Sequence, residues 1–124
     1  MSFRSLQRWL QQCWDSKSCL LCMQAIVAIE PICKACAEAL PWIERGCLKC
    51  GIPMAQMQSV CNECEWTEPL VARTVTAWSY AFPIDALINR FKHEREYPYG
   101  RLLAHLLGER LNTEFSAGLN RPDF

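Results

Sequence analysis

The sequence has no long apolar run, no net charge and no signal-peptide pattern, and each absence excludes a class of protein. None of its 124 residues belongs to an apolar stretch approaching the length of about 18 that a transmembrane helix needs. The 13 basic and 13 acidic side chains cancel, so composition indicates no polyelectrolyte partner. The N-terminal residues lack both the apolar core and the small-residue cleavage site of a signal peptide. We therefore expect a soluble, cytoplasmic protein without a membrane span.

Cysteine is the residue in excess, with nine in the chain. Eight of them form two copies of the pattern C-x2-C-x10-C-x2-C, and the second copy is displaced from the first by 28 residues. The two copies are Cys19, Cys22, Cys33 and Cys36, then Cys47, Cys50, Cys61 and Cys64. The cysteines are kept between the copies while nearly all the other residues differ. This indicates a duplicated set of metal ligands.

The spacing of these thiols favours zinc. A C-x-x-C turn directs two thiolates at one ion, and two such turns supply the four-thiolate tetrahedron of a closed structural site. Gly51, directly after Cys50, suits the tight bend of such a turn. In a reducing cytosol, paired cysteines are metal ligands more often than disulfides. We therefore predict two zinc ions, each held by four cysteines.

Other uses of paired cysteines fit less well. A thioredoxin-type dithiol needs a strand before the C-x-x-C and a helix after it, which four closely spaced pairs cannot all have. A disulfide scaffold needs an oxidising compartment, and the ferredoxin spacing that ends in C-P is absent. Cys13 lies outside both copies and is predicted to be a buried apolar residue of an N-terminal helix.

Two pairings of the C-x-x-C turns remain open. Every gap between successive turns is ten residues long, so spacing also allows a cross-braced arrangement in which the first and third turns share an ion. The 28-residue repeat favours sequential sites, because a duplicated unit should carry a complete ligand set. We predict the sequential arrangement.

The charge of the cysteine-rich half indicates a structural role. Residues 1–70 carry six basic and seven acidic side chains, and two four-thiolate zinc sites, each formally −2, bring this half to −5. A nucleic-acid-binding finger would instead present a basic surface to the phosphates. So small a segment buries little apolar surface, so metal binding must supply much of its folding free energy. We expect zinc to shape a platform.

The flanking segments predict helices and one strand. Residues 1–16 have apolar side chains at helical spacing and predict an amphipathic helix. Residues 70–80, LVARTVTAWSY, are rich in β-branched and aromatic residues and predict a strand. Two helices should follow, one starting near Pro83 and one near Pro98. The positions expected to face a core are Ile84, Leu87, Ile88 and Phe91, then Tyr99, Leu103, Leu106, Leu107 and Leu111.

The predicted fold class is a small zinc-stabilised β module, a double zinc ribbon over residues 17–68, followed by a β-α-α segment of an α/β fold over residues 69–124. His93 and His105 follow no ligand spacing and are interpreted as ordinary surface or half-buried residues. A single strand leaves its edges unpaired. We therefore expect a chain that is truncated, or that completes its fold with something outside it.

The order of these parts resembles the N-terminal half of the ComF family of competence proteins. Four C-x-x-C pairs precede AWSYAFPIDALINRFK and GRLLAHLLGERL, and INRFKHE with LLAHLLG makes the likeness more specific than the cysteines alone. The resemblance covers about residues 10–124. It implies a double zinc ribbon followed by the start of a phosphoribosyltransferase-like domain, incomplete here. It also implies a role in DNA uptake and natural transformation, with single-stranded DNA or proteins of the competence machinery as partners.

The sequence departs from that family at its activity centre. The family binds phosphoribosyl pyrophosphate with two adjacent acidic residues and a Thr/Gly-rich turn, where backbone N–H groups hold the phosphate. This chain has no adjacent acidic pair and no Thr-Thr-Gly. No catalytic or cofactor-binding residue is therefore carried over, and we expect the chain to be inactive alone. The alternative is a free-standing double zinc ribbon that binds a protein or nucleic-acid partner. The absence of a catalytic motif favours this alternative, whereas the single predicted strand and the amphipathic helices, which imply an unfinished core, count against it.

Overall fold

A computed structural model of the protein describes residues 18–27 and 30–122. Its helices are α1 (Lys34–Glu38), α2 (Asn62–Thr67), α3 (Ile84–His93) and α4 (Tyr97–Ser116). In the described ranges, β structure is limited to isolated bridges that pair Ser18 with Ala25, Trp42 with Trp78, and Gly46 with Pro53. The helix predicted over residues 1–16, with Cys13, lies outside the described residues.

The short helices α1 and α2 each start directly after the third cysteine of a copy. Cys33 is the N-cap of α1, and its Sγ accepts a hydrogen bond from the Cys36 N–H at 3.4 Å. Cys61 is the N-cap of α2. The carboxylates of Glu63 and Glu65 in its first turn interact favourably with the positive end of the helix dipole. The third and fourth cysteines of each copy therefore face one another across the first turn of a helix.

The two helices predicted near the C-terminus are present. Pro83 precedes α3, and Pro98 lies in the first turn of α4, where a missing N–H leaves no hydrogen bond unmade. The apolar face of α4 differs from the prediction: Leu102 is fully buried, whereas Leu107 is 37% exposed. Leu106 is buried as predicted, and Tyr99 and Leu103 are partly buried against the same core, whereas Leu102, four residues before Leu106, was not predicted.

Residues 70–80 do not form the predicted strand. They run as a connector without regular secondary structure, apart from the bridge at Trp78. Its backbone groups bond to residues 41–48 in antiparallel order: the Thr74 N–H donates to Leu48 O at 2.8 Å, Ala77 O accepts from the Ile43 N–H at 2.9 Å, and the Ser79 N–H donates to Pro41 O at 2.9 Å. The β-branched residues indicated an extended backbone but not its partners. The predicted β-α-α segment is thus not confirmed.

One apolar core joins the first cysteine copy to the C-terminal helices. Its buried members are Cys19, Ile32, Leu40, Ile84, Leu87, Leu102 and Leu106. Trp42 and Trp78 pack against this cluster with their ring centroids 5.4 Å apart. The core crosses the domain boundary predicted at residue 68. The buried leucines of α3 and α4 therefore share one core with the first cysteine copy.

Candidate metal centres

The eight cysteines of the two copies come together in two groups of four. In each group the sulfur atoms all lie within 4.8 Å of one another. The groups are sequential, Cys19, Cys22, Cys33 and Cys36 in site 1 and Cys47, Cys50, Cys61 and Cys64 in site 2. The structure thus adopts the arrangement that the 28-residue repeat favoured over cross-bracing.

Three backbone hydrogen bonds around site 1 are repeated around site 2. We call residues 19–24 the first knuckle and residues 47–52 the second. The N–H groups of Cys19, Leu20 and Met23 donate to Gln24 O, Pro31 O and Cys19 O, and those of Cys47, Leu48 and Gly51 donate to Ile52 O, Ser59 O and Cys47 O, all at 2.8 to 2.9 Å. Each donor and acceptor moves by 28 residues. The duplication in sequence is therefore also a duplication of local structure.

The residue after the second cysteine has a left-handed backbone in both knuckles. Gly51 has φ 79° and Met23 has φ 62°. Glycine adopts this region without a steric penalty, whereas a side chain costs about 1–2 kcal/mol there. The sequence indicated the bend at Gly51. The residue type at Met23 gives no indication of the bend there. Only the 28-residue repeat relates Met23 to Gly51.

The sulfur geometry fits a tetrahedral four-thiolate metal site. Cys22 Sγ lies 3.8 Å from Cys33 Sγ, and Cys50 Sγ lies 3.7 Å from Cys61 Sγ. Four sulfurs at a zinc–sulfur distance of about 2.3 Å would be about 3.8 Å apart. A disulfide needs about 2.05 Å, and all eight thiols are free. Each group could therefore hold a metal ion.

Burial and backbone N–H donors shift the pKa values of the thiols in each site in opposite directions. Burial raises the pKa of Cys47, but N–H donors from Cys50, Cys61 and Lys49 outweigh it and lower that pKa to about 6; Cys19 also falls to about 6. Burial, and then neighbouring thiols, raise the pKa of Cys64 to about 12. Four thiolates this close repel one another strongly. A divalent cation at the centre would remove that repulsion.

No protein-family model, curated protein or solved structure matches the chain. The assignment of the sites therefore depends on the geometry of the thiols themselves. His93 and His105 lie outside both groups; His105 Nε2 is 3.0 Å from a carboxylate oxygen of Glu30. Among the described residues, no helix combines the length and apolar character needed to cross a bilayer.

Two threonines of the connector contact the second knuckle and were missed by the sequence analysis. Thr74 Oγ1 donates to Lys49 O at 2.5 Å, and Thr76 Oγ1 donates to Gly51 O at 3.0 Å. Residues two apart lie on one side of an extended backbone, so the T-x-T pattern could have indicated a shared face. The sequence could not have identified that face as a neighbour of site 2.

Proposed function

We propose that the two cysteine groups are closed structural zinc sites, and that the chain is a double zinc module whose metal ions stabilise its fold. The observation that carries this proposal is that eight cysteine sulfur atoms form two groups of four, and that within each group all sulfur atoms lie within 4.8 Å of one another. Thiolate-rich tetrahedral sites select zinc or iron–sulfur centres, and the ferredoxin spacing is absent. Four protein ligands leave no open position for a substrate or water, so the role is structural rather than catalytic.

Native mass spectrometry of the chain, purified without chelator, tests this proposal directly. We expect two zinc ions per chain, with eight thiols protected from alkylation and Cys13 reactive once the chain is mildly denatured. Cys13→Ser should leave the stoichiometry at two, and Cys50→Ser should reduce it to one. A metal-free chain containing disulfides would contradict the proposal.

The proposed cellular setting is DNA uptake, and it derives from the resemblance to the ComF family. The order of the motifs supports it: the cysteine pairs precede the α3 segment INRFKHE and the α4 segment LLAHLLG. The charge of residues 71–124, with seven basic and six acidic side chains, gives no separate support for a DNA-binding surface. Single-stranded DNA or a protein of the competence machinery is the proposed partner.

Gene deletion in the source organism tests this setting. We expect deletion to lower the frequency of transformation by marked DNA, and a plasmid copy of the gene to restore it. A copy with Cys50→Ser should restore it less well than a copy with Cys13→Ser. An unchanged frequency in the deletion strain would contradict the proposed role in DNA uptake.

The second candidate is a zinc-dependent module that binds a protein partner outside competence. The shared core favours it, because Leu102 and Leu106 are buried in one cluster with Cys19 and Ile32 of the first cysteine copy. Trp66 and Leu70, which follow Cys64 in the sequence, are almost fully exposed and would suit an apolar contact. Under this candidate the zinc stoichiometry is the same and the transformation frequency does not change.

A further inference from the structure

The peptide units of the second knuckle have their N–H groups directed at the thiols of site 2. The Lys49 N–H donates to Cys47 Sγ at 3.4 Å, and the Cys50 N–H also acts to lower the pKa of that thiol. The Ile52 N–H favours the thiolate of Cys50, although burial and the thiols of Cys47 and Cys61 raise the pKa of Cys50 overall. Three peptide units of the knuckle therefore stabilise two of the four thiolates.

The carbonyl groups of the same three peptide units are all occupied by the connector. Leu48 O accepts from the Thr74 N–H at 2.8 Å, and Lys49 O accepts from Thr74 Oγ1. Gly51 O accepts from Thr76 Oγ1 at 3.0 Å. A donor at the carbonyl polarises a peptide unit and strengthens the hydrogen bond that its N–H makes on the other side. The connector thus acts on the sulfur atoms through the peptide units between them.

The first knuckle supplies an internal comparison. The N–H groups of Cys22 and Leu21 act to lower the pKa of Cys19, as their counterparts do for Cys47 in site 2. Within the described ranges, however, no backbone N–H and no threonine hydroxyl donates to the carbonyl groups of Leu20, Leu21 or Met23. The metal ligands and their N–H donors are duplicated, but the threonine contacts are not. The connector therefore distinguishes two otherwise matching sites.

We infer that Thr74 and Thr76 are positioning residues of site 2, which couple metal binding at that site to docking of the connector, while site 1 lacks this coupling. The inference rests on the proposed function, in that both sites bind a divalent metal ion. Coupling is reciprocal: a docked connector raises metal affinity at site 2, and a bound ion holds the connector. Arg73, whose Nη2 is 3.5 Å from a Glu114 carboxylate oxygen, extends the link to α4.

The test is a chelator titration of the full chain loaded with cadmium, followed by cadmium NMR so that the two sites are read separately. Partners that bond to the groups holding metal ligands typically contribute 10–100-fold in affinity. We expect Thr76→Val to lower cadmium affinity at site 2 by about tenfold and to leave site 1 unchanged. Thr76→Ser keeps the hydroxyl donor and should restore the affinity of site 2.

Thr67→Val is the matched control, because Thr67 belongs to the same module but its hydroxyl bonds to Glu63 O within α2. It should change neither site. Equal loss at both sites in Thr76→Val, or no loss at either, would overturn the inference. A chain without substitutions that binds no cadmium would instead refute the proposed function itself.

Hydrogen exchange gives a second readout that does not depend on a threonine variant folding. In Cys50→Ser, which removes a ligand of site 2, we expect the Thr74 amide to lose protection while the Leu102 amide keeps it. Protection of Thr74 that is unchanged in a chain shown to have lost one ion would overturn the coupling.

Discussion

Chelation of the metal is expected to remove most of the helical circular-dichroism signal of the chain. The buried faces of α3 and α4 share a core with Cys19 and Ile32 of the first cysteine copy and with Leu40, which follows that copy. A structural zinc site contributes about 10–16 kcal/mol of apparent binding free energy, comparable to the total stability of about 5–15 kcal/mol of a typical domain. Loss of the ion at site 1 should therefore unfold the first copy and expose the helical faces, and isolated helices of this length are marginal in water.

Two equivalent ligands separate the contributions of the sites to this effect. Cys22 and Cys50 are related by the 28-residue shift, and both are exposed. Cys22→Ser should reproduce the loss of helix seen on chelation, because site 1 adjoins the core. Cys50→Ser should retain most of the helical signal, because none of the four ligands of site 2 belongs to that core cluster. Full helical signal in a chain shown to lack zinc would contradict the prediction, as would identical spectra for the two variants.

The ligand set was predictable because the chemistry of zinc fixes both the residue type and the spacing. Four thiolates in two C-x-x-C turns describe a site almost completely, and the repeat selected the sequential pairing that the structure adopts. The left-handed residue of the second knuckle was also predictable, since Gly51 marks it. Met23 in the first knuckle has the same conformation without the glycine. There the bonds of the knuckle outweigh the preference of the residue.

The connector could not be predicted, because a strand is defined by its partner. Residues 70–80 have the composition of a strand, but their bonds to residues 41–48 are interrupted, and in this pairing only Trp42 and Trp78 form a β bridge. Similarly, helical spacing predicted an apolar stripe on α4 but could not fix its centre to a single residue. Leu102 is buried because it meets the first cysteine copy. Contacts between segments distant in sequence determine both features.

Replacement of Gly51 by alanine is expected to cost about 2–5 kcal/mol of unfolding free energy in the zinc-loaded chain. An added Cβ would lie 2.6 Å from Thr76 Cγ2 and 3.1 Å from Thr74 Cγ2, and the residue has φ +79°. The left-handed backbone accounts for about 1–2 kcal/mol of this cost. The steric overlap with the connector accounts for a further 1–3 kcal/mol, about the usual cost of overpacking. Urea denaturation with excess zinc measures the change.

Gly118→Ala isolates the backbone part of that cost. Gly118 also has a left-handed backbone, with φ +107°, but nothing lies within 4 Å of its added Cβ. We expect it to lose only about 1–2 kcal/mol. Adding Thr76→Ser to Gly51→Ala removes the overlapping methyl group and should recover the steric part, an interaction that a double-mutant cycle measures. If Gly51→Ala costs no more than Gly118→Ala, the connector does not pack against the second knuckle, and its threonines cannot act on the thiols of site 2.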